Sequence, residues 1–241
     1  MPHSCKNCHN QFEGKFCNHC GQAVDTPKIG MKYIRRDIQQ GLLNFDVGLL
    51  FSLKELFTRP GHSIREFIEG KRVHHYKPLS MVVILATVHS FIIHYLGMHI
   101  LEVDTANVAD TFAGIERATN WMENNYSISL LVTVPFFAVL SFVYFRKQGY
   151  NLAEHLVLNA FTAAQRIAVK LLFIPLDYAF PSYSLLFDRL ITLISIGLYC
   201  WVFIQFFCRL RKWKVVIAGL VVYLGALLIF LLIILAVAAS A

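Results

Sequence analysis

Residues 129–145 read SLLVTVPFFAVLSFVYF, an uncharged run closed by Arg146 and Lys147. About 20 apolar residues in helical form cross a hydrocarbon layer of about 30 Å, so this stretch predicts a membrane span. Working outward, the same criterion predicts five spans, at about 79–101, 127–146, 152–174, 186–208 and 214–239. The first starts behind Pro78, the second carries Pro135 as a predicted kink, and the last is almost free of polar residues. A mean hydropathy of +0.54 over 241 residues agrees with an all-α polytopic membrane protein and excludes an ordinary soluble fold.

The basic residues predict the orientation. Of 22 Lys and Arg, twelve precede the first span, Arg146 and Lys147 follow the second, and Arg209, Arg211, Lys212 and Lys214 separate the fourth from the fifth. The loop 102–126 sets Arg117 against Glu102, Asp104, Asp110, Glu116 and Glu123, and the loop 175–185 holds no Lys or Arg. The alternation fits the positive-inside rule at every connection, with the N-terminus in the cytoplasm and the C-terminus outside. The formal charge of +7 therefore reads as topology and contact with anionic lipid, and needs no nucleic acid to explain it.

Ahead of the spans stands C5-KNCHNQFEGKFCNHC-G21, two Cys-x2-Cys pairs eight residues apart. No apolar core follows a basic start there, so no cleaved leader is expected and the cysteines stay in a reducing compartment, where paired thiols bind metal. Cys5, Cys8, Cys17 and Cys20 form the pattern of two zinc knuckles completing a tetrahedron, against the alternative of four unrelated thiols. So short a segment cannot fold on its own buried residues, and the metal supplies the folding free energy. Four protein ligands leave no open position, so the zinc is structural and His3, His9 and His19 are bystanders. Gly21 suits the backbone reversal after the second pair, and His9 departs from it in the first. Cys200 and Cys208 read as packing residues of the fourth span.

Behind a hinge at residues 25–27, Ile34, Ile38, Leu42, Phe45, Leu49, Leu53 and Leu56 recur at helical spacing, with Arg35, Arg36, Asp37 and Lys54 off the stripe. Gly41 and Gly48 divide or bend this amphipathic segment. It lies in the membrane interface or packs on the cytosolic ends of the bundle. Ser63 and Glu66 have capping-box spacing for a short helix ending at Gly70. Lys71, Arg72, His74, His75 and Lys77 then lead into the first span as contacts for headgroups or a phosphate. The expected domains are the ribbon at 1–26, the interfacial helices at 27–77 and the five-helix bundle at 78–241.

The opening CxxC…CxxCGQ, the stretch RPGHSIREFIEGKRVHHYKP at 59–78 and the pair Glu154-His155 resemble a bacterial membrane-protein family, domain-of-unknown-function family 3667. The resemblance covers the first 80 residues well and the remainder mainly in topology. It implies an inner-membrane protein with a cytosolic zinc ribbon, and it carries no catalytic role.

Polar residues align inside three spans. His155, Asn159, Thr162, Arg166 and Lys170 follow at steps of four, three, four and four on one face of the third span. Asp188, Thr192, Ser195 and Tyr199 do so on the fourth, and Ser80, Thr87 and His94 recur at steps of seven on the first. Charges at membrane depth are costly and should face one another or water. Counting depth, Lys170 and Asp188 share the outer half and can pair, whereas Arg166 has no partner in sequence. Ser, Thr and Asn also serve as interhelical glue, Lys170 can snorkel, His94 and His99 can be interfacial, and Glu154 fits a capping box with Asn151.

The expected function is an adaptor: a zinc ribbon held beneath the bilayer as a protein-docking surface, with membrane lipid as the other partner. A carrier or channel for a small anionic solute or headgroup, using the third span's polar face and Arg189, is the alternative. A lipid-modifying enzyme using Glu154, His155, His74 or His75 is the third. No metalloprotease motif, phosphate loop or nucleophile elbow supports that chemistry, and no internal repeat or paired broken helices favour a transporter.

Overall fold

The structure is a computed structural model that describes residues 2–40, 48–98 and 126–240. Strands β1 (His3–Ser4) and β2 (Gln11–Phe12) pair antiparallel in the cysteine segment. Three short helices follow: α1 (Met31–Gln40), α2 (Gly48–Thr58) and α3 (Pro60–Glu69). Among the described residues five long ones follow: α4 (Pro78–Tyr95), α5 (Tyr126–Phe145), α6 (Leu152–Ala179), α7 (Ser184–Phe206) and α8 (Lys212–Ser240). Each long helix contains a segment long and apolar enough to cross a membrane. The chain is thus an all-α polytopic membrane protein with a small metal-binding segment ahead of it. The expected loop at 102–126, His99, Gly41, Leu42 and Phe45 fall outside the described residues, apart from Tyr126, which opens α5.

The third span is the central helix. Of its apolar window 72% is buried, against 22–44% for the other four. Its sequence explains this, because Ala153, Ala160, Ala163, Ala164 and Ala168 are all buried. In lipid, helices associate through close van der Waals packing, and small side chains permit the approach. The outward faces of α5, α7 and α8 are correspondingly rich in exposed apolar groups such as Val143, Leu193 and Leu232.

α1, α2 and α3 form a collar on the end of the bundle that carries the cysteine segment, here called the ribbon end. The apolar stripe of the segment does what amphipathic spacing predicts: Ile34 and Leu56 are buried in the main core, with Leu49 and Leu53 packed on it. Asp37, expected off the stripe, is instead 1% exposed. It is buried because it serves α4, whose first turn has unpaired amides. Its carboxylate accepts from Leu79 N at 3.3 Å and Ser80 Oγ at 2.6 Å. Burial pushes this carboxyl up, and the Ser80 and Leu79 hydrogen bonds oppose the shift.

The capping box at Ser63 and Glu66 does not form. α3 already begins at Pro60, whose fixed φ suits a first helical position, with Arg59 as N-cap and no side-chain cap. Ser63 N therefore bonds Arg59 O inside the helix, and Glu66 pairs with Arg59 and Lys71. The predicted stop at Gly70 is observed, at φ 121°. Gly61 lets α3 cross α7 at backbone contact: a Cβ there would strike Val202 O and Phe206 N. Gly61 N also donates to Gln205 Oε1 at 3.0 Å, and buried Gln165 of α6 donates to Leu56 O at 2.6 Å.

Candidate metal centre and intramembrane polar face

The cysteine segment consists of two matching turns. In each, the first cysteine's N–H bonds the carbonyl five residues on (Cys5 to Asn10, Cys17 to Gln22), and the residue after the pair bonds back (His9 to Cys5, Gly21 to Cys17). Ser4 pairs with Gln11 and Phe16 with Ala23 at equal offsets from the two pairs. His9 and Gly21 both adopt a left-handed backbone, at φ 59° and 75°, so the histidine takes a conformation glycine holds freely. The four sulfurs converge within 4.8 Å, with Cys5–Cys20 at 3.5 Å and Cys8–Cys17 at 3.6 Å. Metal–sulfur bonds of about 2.3 Å require tetrahedral edges of about 3.8 Å, so the donor set fits a tetrahedral soft-ligand metal. Burial pushes the Cys17 thiol up, but the backbone amides of Cys20 and His19 and the hydrogen bonds with Cys8 and Cys5 together outweigh it and bring the thiol down to about 6. At Cys8 the Asn10 amide pulls down, while burial and the neighbouring thiols push up to about 12. Sulfurs this close resist ionising together, and a cation among them relieves that repulsion.

This module is bolted to the collar rather than hung from a linker. Gln22 is buried, its Nε2 donating to Gly70 O at 2.7 Å while its Oε1 accepts from Arg72 N at 3.2 Å. Lys6 Nζ reaches Thr26 O, Arg72 Nη2 reaches Pro27 O, and Asn151 Nδ2 reaches Ile29 O. The basic stretch before α4 is drawn into the same joint. Arg72 also donates to Phe67 O and lies over the rings of Tyr33 and Phe67. Lys71 pairs with Glu66 at 3.0 Å. His75 packs against Phe51, Phe67 and Phe161, with Ser63 Oγ at 3.5 Å, and burial lowers its pKa to about 4. His74 is exposed and Lys77 half-buried.

Along α6 the polar face divides into three. Nearest the ribbon end, Asn151 and Glu154 make the expected capping box, Glu154 lying 4.0 Å from Lys28. His155 Nδ1 is 2.9 Å from Ser141 Oγ of α5, which also accepts from Asn159 Nδ2 at 3.0 Å. In the middle, Asn159, Thr162 and Arg166 line a cavity of about 10 Å³ with Thr133 and Tyr199. Asn159 Oδ1, Arg166 Nε, Ser195 Oγ and Tyr199 OH have no partner among the described residues. Arg166 lies 5.5 Å from the centre of the Tyr223 ring and has no carboxylate partner among them. At the far end Lys170 pairs with Asp188, as depth counting predicts.

The other stripes are less regular. Ser195 and Tyr199 are buried, but Thr192 is exposed and bonds its own helix at Asp188 O. On α4, Ser80 is buried under Asp37, whereas Thr87 and His94 are exposed, because α1 meets that face only at the ribbon end. Sequence reading missed Ser141, Gln165 and Gln22. Ser141 and Gln165 were visible as polar residues inside apolar runs; Gln22 closed the CxxCGQ motif, where nothing pointed to its bonds with the collar.

The class these features define is a polytopic membrane protein with an N-terminal tetracysteine module. A family model described as Protein of unknown function (DUF3667) matches residues 46–89, which run from just before α2 into α4. No curated protein and no solved structure matches the chain. The matched segment is narrower than the resemblance read from sequence and begins beyond the cysteines.

Proposed function

We propose that the chain belongs along its whole length to this family and resides in a bacterial inner membrane, ribbon end toward the cytoplasm. There a structural zinc holds the ribbon as a docking surface for a protein partner. The orientation rests on the basic turns at 146–147 and 209–214, which share the ribbon end with the cysteines. The observation that carries the docking reading is the way the ribbon is mounted. Gln22 fixes one side to the end of the collar through Gly70 O and Arg72 N, while Phe16 on the ribbon stands 64% exposed. A small rigid module with an unpartnered aromatic side chain suits protein recognition more than catalysis. The test is crosslinked capture from native membranes by wild type, Phe16→Ser and Cys17→Ser/Cys20→Ser at matched expression. A partner held by wild type and lost from both variants is the expected result; the same captured set in all three would overturn the reading.

Arg166, which has no carboxylate partner among the described residues, favours a second reading, a site for a small anion within the bundle. The two separate by Arg166→Gln, which leaves capture intact if the ribbon acts alone and abolishes anion-dependent stabilisation if the polar face is the site.

A further inference from the structure

A larger concavity lies away from both sites, at the ribbon end of the bundle. It has a volume of about 100 Å³, and Arg65, Glu69, Gln148, Tyr150, Phe206 and Arg209 contribute to its walls. Three parts of the chain build it: α3, the turn between α5 and α6, and the end of α7. Its depth is that of the membrane boundary. α5 and α7 stop there, at Phe145 and Phe206, and the next residues are basic turns with Trp213 exposed.

One of the two arginines in its walls, Arg65, is held in place. Arg65 Nη2 donates to Gln205 O at 2.9 Å, Nη1 to Cys208 Sγ at 2.7 Å, and His62 Nδ1 lies 2.8 Å from Nη2. The Gly61 crossing fixes α3 on α7 beneath it. Arg209 and Glu69 are both exposed and have no ion-pair partner among the described residues. Two guanidinium groups with a phenol and an amide nearby suit the oxygens of a phosphate. A phosphate alone would leave the carboxylate of Glu69 in the same wall opposing it. A ligand carrying a cation on a short arm satisfies both charges.

We infer that this concavity binds a phosphate ester bearing a primary ammonium, the phosphoethanolamine headgroup of an aminophospholipid. The phosphate sits between Arg65 and Arg209 with Tyr150 and Gln148 as donors, and the ammonium meets Glu69. Phe206 supplies an apolar floor. This inference is independent of the ribbon's role.

The test is native mass spectrometry of the purified full chain, offered phosphatidylethanolamine, phosphatidylglycerol and phosphatidylcholine in equal amounts. Wild type should retain phosphatidylethanolamine several-fold over the other two. Glu69→Gln should erase that preference without lowering phosphatidylglycerol retention. Arg209→Gln should lower retention of all three, with Arg209→Lys recovering part of it. Both positions are exposed, so matched thermal melts keep loss of fold separate from loss of site. Excess soluble phosphoethanolamine displaces the lipid if the ester alone is recognised, and leaves it bound if acyl chains contribute. Equal retention of the three lipids by wild type, or an Arg209→Gln profile like wild type's, would overturn the inference.

Discussion

His9 and Gly21 hold the same place in two matching turns, yet only one of them is a glycine. A left-handed backbone costs a side chain with a Cβ about 1 kcal/mol or more. His9→Gly should therefore stabilise the metal-loaded ribbon by about 1 kcal/mol, read as slower metal loss to a competing chelator; an unchanged rate would show that the turn imposes no strain. His75 makes a second prediction at this scale. Its pKa of about 4 in the fold lies below the free imidazole value, so between those values the unfolded chain binds the extra proton. Its contribution is complete above about pH 6.5 and declines as pH falls toward 4. Glu66, Arg59 and His74 act on the same ring, and the Glu66 carboxylate is itself held low by Lys71 and Arg59 against its burial. Melting temperature should fall between pH 7 and pH 4.5 in wild type, and less steeply in His75→Leu. Equal slopes would refute the assignment.

Among the elements, the crossing of α3 over α7 depends on one missing methyl group. Gly61→Ala forces backbone against backbone, which no rotamer change relieves, and should cost about 3 kcal/mol. A loss under 1 kcal/mol in a detergent melt would mean the helices separate easily. The α6–α7 pair is held differently, by Lys170 and Asp188. Asp188→Asn removes this ion pair and should lower the detergent melting temperature; an unchanged melt would show that the pair adds nothing to stability. Sequence made this pair legible because depth along two antiparallel spans is simple counting. The five spans and the Asn151 capping box were legible for similar local reasons. The collar was not. Whether an amphipathic helix faces lipid or protein depends on what else needs covering, and Asp37 is buried because α4 requires a cap from another element. The start of α3 was misjudged because Pro60 and Ser63 both offer helix-start signals and the proline's geometry prevails.

For the whole molecule, the tetracysteine pattern was readable from spacing alone, but its mounting was not. Gln22 meets Gly70 and Arg72 some fifty residues away, a pairing that leaves no periodic trace. The ribbon has only a small cluster of its own, Cys5, Phe12 and Cys17, whereas the bundle has an extensive one. Metal removal should thus unfold the first two dozen residues and leave the helices assembled. Amide exchange after chelation should rise over 3–24 and remain low in α6; a global rise would show that the bundle too depends on the metal.

Gln22 belongs to both worlds: its backbone carbonyl closes the Cys17 turn, and its side-chain amide clasps the collar. A residue so placed makes ion occupancy and collar geometry thermodynamically reciprocal. Whatever factor the collar adds to the grip on the ion, the ion returns to the collar. Gln22→Ala should loosen metal binding without touching a ligand, and any lipid or partner that braces the collar should tighten it by the same factor as the metal tightens the hold on that lipid or partner.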